Sequence, residues 1–146
     1  MLQALQLVAT FAATLFAGAA LYINVAEHPA RMAIETRMAA LQWAPSYRRA
    51  TLLQAPLALL SLVSGTAAWA VGANIAWFVA ALLIGIVVPF TLVVVMPTNR
   101  RLLDPDRDLA SADTRALLQK WNKLHAVRTT LSLVASIIYL WLLREA

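Results

Sequence analysis

The chain has two histidines, and both stand where a greasy segment meets a polar one. His28 follows Glu27 in the stretch Asn24-Val25-Ala26-Glu27-His28-Pro29-Ala30-Arg31, directly after a long apolar run. His125 lies in Trp121-Asn122-Lys123-Leu124-His125-Ala126-Val127-Arg128, directly before another. Imidazole is the side chain best suited to move a proton near neutral pH, so each histidine is a candidate general base or ligand. Asn24 stands three residues before Glu27 and four before His28, so on a helix either pair can share a face. Trp121, His125 and Arg128 follow the i, i+4, i+7 rhythm of one helical stripe. Ionisable groups at membrane depth are costly, and by default they mark a site.

Plainer readings stand beside these. The Glu27 carboxylate can meet headgroup water or Arg31, with Pro29 starting the next helix. His125 can be a surface residue near Lys120 and Lys123. Arg128 can snorkel to the interface or pair with Glu27, which would offset the cost of both charges.

His28, Glu27 and His125 are also the ligand types of a facial-triad iron site, although no local ligand motif such as His-Glu-x-x-His supports it. A metal (iron or copper), a bis-histidine haem and cofactor-free chemistry all stay open. The chain has no cysteine, so disulfides and thiolate metal sites are excluded. Phosphate loops, dinucleotide fingerprints and serine nucleophile elbows are absent.

The elements that position these residues follow from composition. Of 146 residues, 62% are hydrophobic and 13% charged, against about a quarter charged in a soluble domain. The sequence predicts an all-α integral membrane four-helix bundle, one domain over residues 1–146. A helix needs about 20 residues to cross a hydrocarbon core of about 30 Å. Four segments suffice: 2–26, 51–71, 75–96 and 126–143. The first lacks the basic leader of a secretory signal and is read as a permanent span. Residues 72–74 form a tight hairpin between spans two and three.

The other two connections are long. The first suits an amphipathic helix, lying in the interface or continuing below it, with Ala33, Ile34, Met38 and Leu41 on one face and Arg31, Glu35 and Gln42 mostly elsewhere. The second turns at Asp104-Pro105, then extends span four backwards from a cap at Ser111 or Asp108. Pro89 is expected to kink span three, and Pro56 is placed to do the same to span two. Small residues at 16–20, Gly65 with Ala68, and Gly85 are expected to let helices approach closely.

Lysine and arginine fall almost entirely in the two long connections, while the opposite side has only Arg144. The positive-inside rule then places both long loops in the cytoplasm and both termini outside, in an inner or plasma membrane. The net charge of +5 is explained by lipid headgroups and calls for no nucleic acid. This topology brings Asn24, Glu27, His28, Tyr47, Asn99, Trp121, His125 and Arg128 to one level, a polar mouth facing the cytoplasm. Asn74, Trp69, Trp77, Trp141 and Tyr139 fall at the other level, as an aromatic belt.

Four stretches in order, GAALYINVAEHPAR (18–31), WAPSYRRATLLQAPLA (43–58), VVPFTLVVVMPTNRRLLDP (87–105) and WNKLHAVRTTLSLVA (121–135), resemble a family of small four-helix membrane proteins that includes the anthrone oxygenases. The resemblance implies oxidation by O2 of an anthrone methylene to a quinone carbonyl. His28, His125 and Glu27 would be the catalytic residues, a histidine removing the acidic proton. Asn24, Tyr47, Asn99, Trp121 and Arg128 would bind substrate or the oxyanion. An apolar substrate would arrive through the bilayer. The alternative is a non-catalytic membrane protein that binds a lipid, quinone, haem or metal, or serves as an accessory subunit. A homo-oligomer stays open. A transporter is disfavoured, since four spans without broken repeats make alternating access hard to build.

Overall fold

A computed structural model describes residues 1–145. Four helices carry it: α1 (Leu2–Met32), α2 (Thr36–Ala70), α3 (Ile75–Leu102) and α4 (Ala112–Arg144). All four are long and apolar enough to cross a membrane, and the described residues contain no strand. Without water the backbone must satisfy its own hydrogen bonds, which a helix does within one segment. α1 packs on α2 and α4, and α3 packs on the same two, leaving only slight contact across the diagonals. The result is an up-down-up-down bundle.

Close packing comes from small residues. α1 turns Ala9, Ala12, Ala13, Ala17 and Ala20 inward, and α2 answers with Ala58, Ser61, Ser64, Gly65 and Ala68. The Ser61 hydroxyl donates to the Ala9 carbonyl across this seam at 2.9 Å. A β-carbon on Gly65 would stand 2.1 Å from the Tyr139 hydroxyl, and one on Gly85 2.8 Å from Leu62. Gly18 meets nothing within 4 Å, so the expectation of close approach holds at Gly65 and Gly85 and fails there. Gly72 carries φ of 111° in the hairpin, a conformation that L side chains rarely adopt.

Of the two readings of the amphipathic stretch, a continuation holds and a separate interfacial element does not, the continuation being chiefly of the second span. α1 runs on to Met32, residues 33–35 turn the chain, and 36–50 are the opening of α2 itself. At about 1.5 Å per residue, the 35 residues of α2 outrun any hydrocarbon core. Ile34, Met38 and Leu41 face outward, while Ala39, Ala40 and Trp43 face the bundle. α4 opens as expected, with Ser111 as its cap: its side-chain oxygen accepts from the Thr114 backbone N–H at 3.2 Å. Beside that cap, a hydrogen bond from Arg107 holds the exposed Asp113 carboxyl below its usual range, with Arg101 adding to the effect.

Two expectations need correction. α2 passes through Pro45 and Pro56 without interruption, whereas α3 breaks at Ile86, just before Pro89. Trp77 and Tyr139 do not join an interfacial belt: both are buried and pack on each other within the core, their rings tilted and their centres 5.1 Å apart. Trp69 and Trp141 remain exposed.

α1 and α3 share a local device. Each contains one widened π turn, Ile23–Glu27 and Thr91–Val95, closed by an N–H five residues on: His28 to the Ile23 carbonyl, Met96 to the Thr91 carbonyl. In each case a proline comes next, Pro29 or Pro97. Proline has no N–H for the carbonyl four residues back, and its ring crowds that carbonyl. A widened turn relieves the crowding, and such turns recur at functional sites. Here they lie beside the polar residues.

Candidate functional site

The π turn in α1 separates residues that a regular helix would hold on one face. Asn24 faces α4, whereas Glu27 faces α2. The Asn24 amide nitrogen donates to the Asn122 side-chain oxygen at 2.7 Å and to the Asn122 backbone carbonyl at 3.1 Å. Its oxygen lies 2.9 Å from His125 Nδ1 and accepts from the Thr129 hydroxyl at 2.5 Å. Since that oxygen can only accept, Nδ1 of His125 carries the proton. The lone pair of a neutral ring is therefore on Nε2.

His28 takes the opposite tautomer. Its Nδ1 lies 3.2 Å from an Arg31 nitrogen that can only donate, so Nδ1 accepts and Nε2 carries the proton. Arg31 is nearly enclosed and is shared out completely: it also pairs with Glu27 and donates to Gln42 and Ser46. Ser46 in turn donates to Glu27. The plain expectation that Glu27 meets Arg31 holds, and the alternative pairing of Glu27 with Arg128 does not: Arg31, four residues on, takes the carboxylate.

The two imidazoles flank one indole. Trp121 has its ring centre 5.8 Å from His28 and 4.9 Å from His125. Trp43 meets it edge-on at 5.8 Å, and Tyr47 stacks on Trp43 at 5.1 Å. Asn99 belongs to the same region, because Val95 and Leu102, a turn either side of it, share a core cluster with Trp43 and Trp121. Its amide is wholly buried, and neither its nitrogen nor its oxygen has a partner; the same is true of Nε1 in Trp43 and in Trp121. Buried polar groups are rarely left unpaired, and each exception asks for an explanation such as an ordered water or a ligand.

Arg128 lies one turn beyond His125. It donates to the Gln54 oxygen at 2.9 Å and lies 5.7 Å from the centre of the Phe16 ring. It forms one end of an apolar cleft of about 120 Å³ whose wall includes Phe16, Tyr47, Val87, Val88 and Thr91. On the other side of His125, His28, Asn122, Lys123 and Arg115 line an open groove of about 490 Å³ at the basic end of the bundle. His125 itself lines neither space; it is 1% exposed and sits between them.

A family model described as anthrone oxygenase matches residues 43–138, well over half of the chain. The chain belongs to the anthrone oxygenase family. The match spans α2 through α4 and takes in Tyr47, Asn99, Trp121, His125 and Arg128; Asn24, Glu27 and His28 lie ahead of it on α1. No curated protein and no solved structure matches the chain.

Of the anticipated residues of this anthrone oxygenase family member, Asn24, Trp121, His125 and His28 form one connected group, and Glu27 joins it through Arg31. Tyr47 reaches it through Trp43, and Arg128 lies on the adjoining cleft. The arrangement does not match the reading of His28, Glu27 and His125 as a metal triad. Glu27 is occupied by Arg31 and Ser46, and among the described residues no group of three His, Cys, Asp or Glu side chains is placed to hold a metal ion.

Sequence reasoning passed over Asn122, Thr129 and Ser46. Thr129 carried a usable signal, being four residues past His125 on the same stripe. Ser46 and Asn122 carried none, because their partners are fixed only when helices meet.

Proposed function

We propose that the chain is a membrane oxidoreductase that uses O2 to oxygenate an apolar aromatic compound with an acidic methylene, as anthrones have. One observation carries the reading within the family: His125 is pinned by Asn24 with its lone pair on Nε2, in an aromatic, nearly dry setting. A base held in one tautomer has its proton-accepting atom defined before the substrate arrives. Its neighbour His28, of opposite tautomer, offers an N–H where His125 offers a lone pair.

The chemistry asks for little more. His125 Nε2 takes a proton from the methylene carbon. The resulting carbanion gives one electron to O2, and the radical pair closes a carbon–oxygen bond to form a peroxide. The proton returns to the peroxide, which loses water and leaves a carbonyl. One CH2 group and one O2 thus become one C=O and one H2O. In this reading the long loops are cytoplasmic, so the groove at His28 is the route for water and protons, and the cleft at Arg128 accepts the rings from the bilayer; since His125 lines neither space, the methylene meets Nε2 only once the bound rings have displaced the side chains between them.

The test is turnover of an anthrone under O2 by purified protein, followed by quinone absorbance and corrected for the uncatalysed reaction. His125→Ala is expected to lower kcat by about 10²–10⁴-fold, the usual contribution of a positioned base. Equal rates for wild type and the His28→Ala/His125→Ala double variant refute the assignment.

A further inference from the structure

Among the described residues the Arg128 guanidinium has no counter-ion. Of the seven acidic side chains, Glu27 is taken by Arg31, and the other six lie in the connections, in the first turn of α4 or after its end. Its one hydrogen bond goes to a neutral amide, Gln54, and its Nε is buried without a partner. The Gln54 nitrogen beside it is also buried and unpartnered. A buried charge left unpaired is strongly destabilising. Arg128 therefore stands with an unsatisfied donor at one end of a cleft whose other walls are mostly apolar, with Gln54 behind it and outside the lining. Thr51, Ala55 and Leu92 line it as well and are exposed on the outer surface, so the cleft opens sideways between α2 and α3. That surface is the apolar flank of the bundle.

We infer that this cleft binds an apolar molecule bearing a single anionic oxygen group, which enters from the bilayer and places its charge on Arg128. The apolar body lies against Phe16, Val87 and Val88. Gln54 orients the guanidinium from behind through its oxygen. This deepens the proposed function by naming the charge of the bound substrate, and so rests on it for the aromatic part only. Binding is measured without turnover, so the two can fail separately.

The experiment uses the whole protein in a neutral detergent and the intrinsic fluorescence anisotropy of two probes, 9-anthracenecarboxylate and the uncharged 9-anthracenemethanol. The carboxylate is expected to bind at least about tenfold more tightly than the alcohol. Arg128→Gln should abolish that preference, and Arg49→Gln, on the exposed surface, should leave it intact. Should Arg128→Gln not fold, Ala55→Trp at the rim blocks the cleft without touching the guanidinium, and is expected to abolish carboxylate binding. Equal binding of the two probes overturns the inference, as does a preference that survives Arg128→Gln or binding that survives Ala55→Trp. A third probe, the fluorescent fatty acid cis-parinarate, separates sources. If it binds in an Arg128-dependent way while 9-anthracenecarboxylate does not, the anionic cleft stands and the aromatic substrate of the proposed function falls.

Discussion

Replacing Asn24 with alanine is the sharpest probe of how the site is held. The substitution removes the only acceptor of His125 Nδ1–H and one of two acceptors open to the Thr129 hydroxyl. Thr129 can fall back on the His125 backbone carbonyl at 3.3 Å. One buried donor is then left unpaired, at a cost of about 1–3 kcal/mol. For a chain of this size that is a fall in Tm of about 2–4 °C per kcal/mol. The assay is thermal unfolding in detergent followed by circular dichroism, run as a double-mutant cycle with His125→Phe. Phenylalanine has no donor to orphan, so Asn24→Ala in that background should cost little, because removing both partners of a buried bond is far cheaper than removing one. Asn122→Ala is the mild control, since the Asn24 amide nitrogen keeps the Asn122 backbone carbonyl. If Asn24→Ala lowers Tm equally with and without His125, the imidazole is not what Asn24 holds, and the tautomer argument fails.

Gly65→Ala should destabilise the bundle by about 1–3 kcal/mol through overpacking against Tyr139, while Gly18→Ala, with nothing within 4 Å, should shift Tm little in the same melts. Arg31→Met should cost about 3 kcal/mol, because it takes from Glu27 its cation and from His28 Nδ1 its donor; Ser46→Ala, which removes two hydrogen bonds but leaves the ion pair, should cost less. The chain has no native cysteine, so single cysteines at Arg48 and Asn74 report sidedness directly. In intact cells an impermeant thiol reagent should label Asn74→Cys and spare Arg48→Cys, and the reverse pattern refutes the proposed orientation.

Much of the fold is written in the sequence, because span length and apolar content act locally. α1 through α4 arise wherever about 20 apolar residues run together, and the Ser111 cap is visible three residues before the N–H it satisfies. What hydropathy does not carry is which face of a helix meets lipid and which meets protein, since both are apolar. That is why Trp77 and Tyr139 read as an interfacial belt although they are core. The stripe Trp121–His125–Arg128 was legible because α4 is regular there. The division of labour between Asn24 and Glu27 was not, since helical spacing presumes a regular turn and the turn at 23–27 is wider. The Asn24–Asn122 and Glu27–Ser46 pairs depend on helix rotation, which no single segment records.

The two proline-linked π turns set the phase of everything that follows them. A widened turn works like a vernier: it offsets the later side chains against the earlier ones by a fraction of a revolution, leaving composition, length and charge almost untouched. Were the turn at 23–27 to tighten into a regular α-turn with no residue lost, the second stretch of α1 would rotate by about 100°, one residue's worth. His28 and Arg31 would then swing away from Trp121 and Gln42, although composition and hydropathy would not change at all. In a scaffold this uniform, angular offset is a coordinate in its own right, set by how one turn closes and not by what residues it contains.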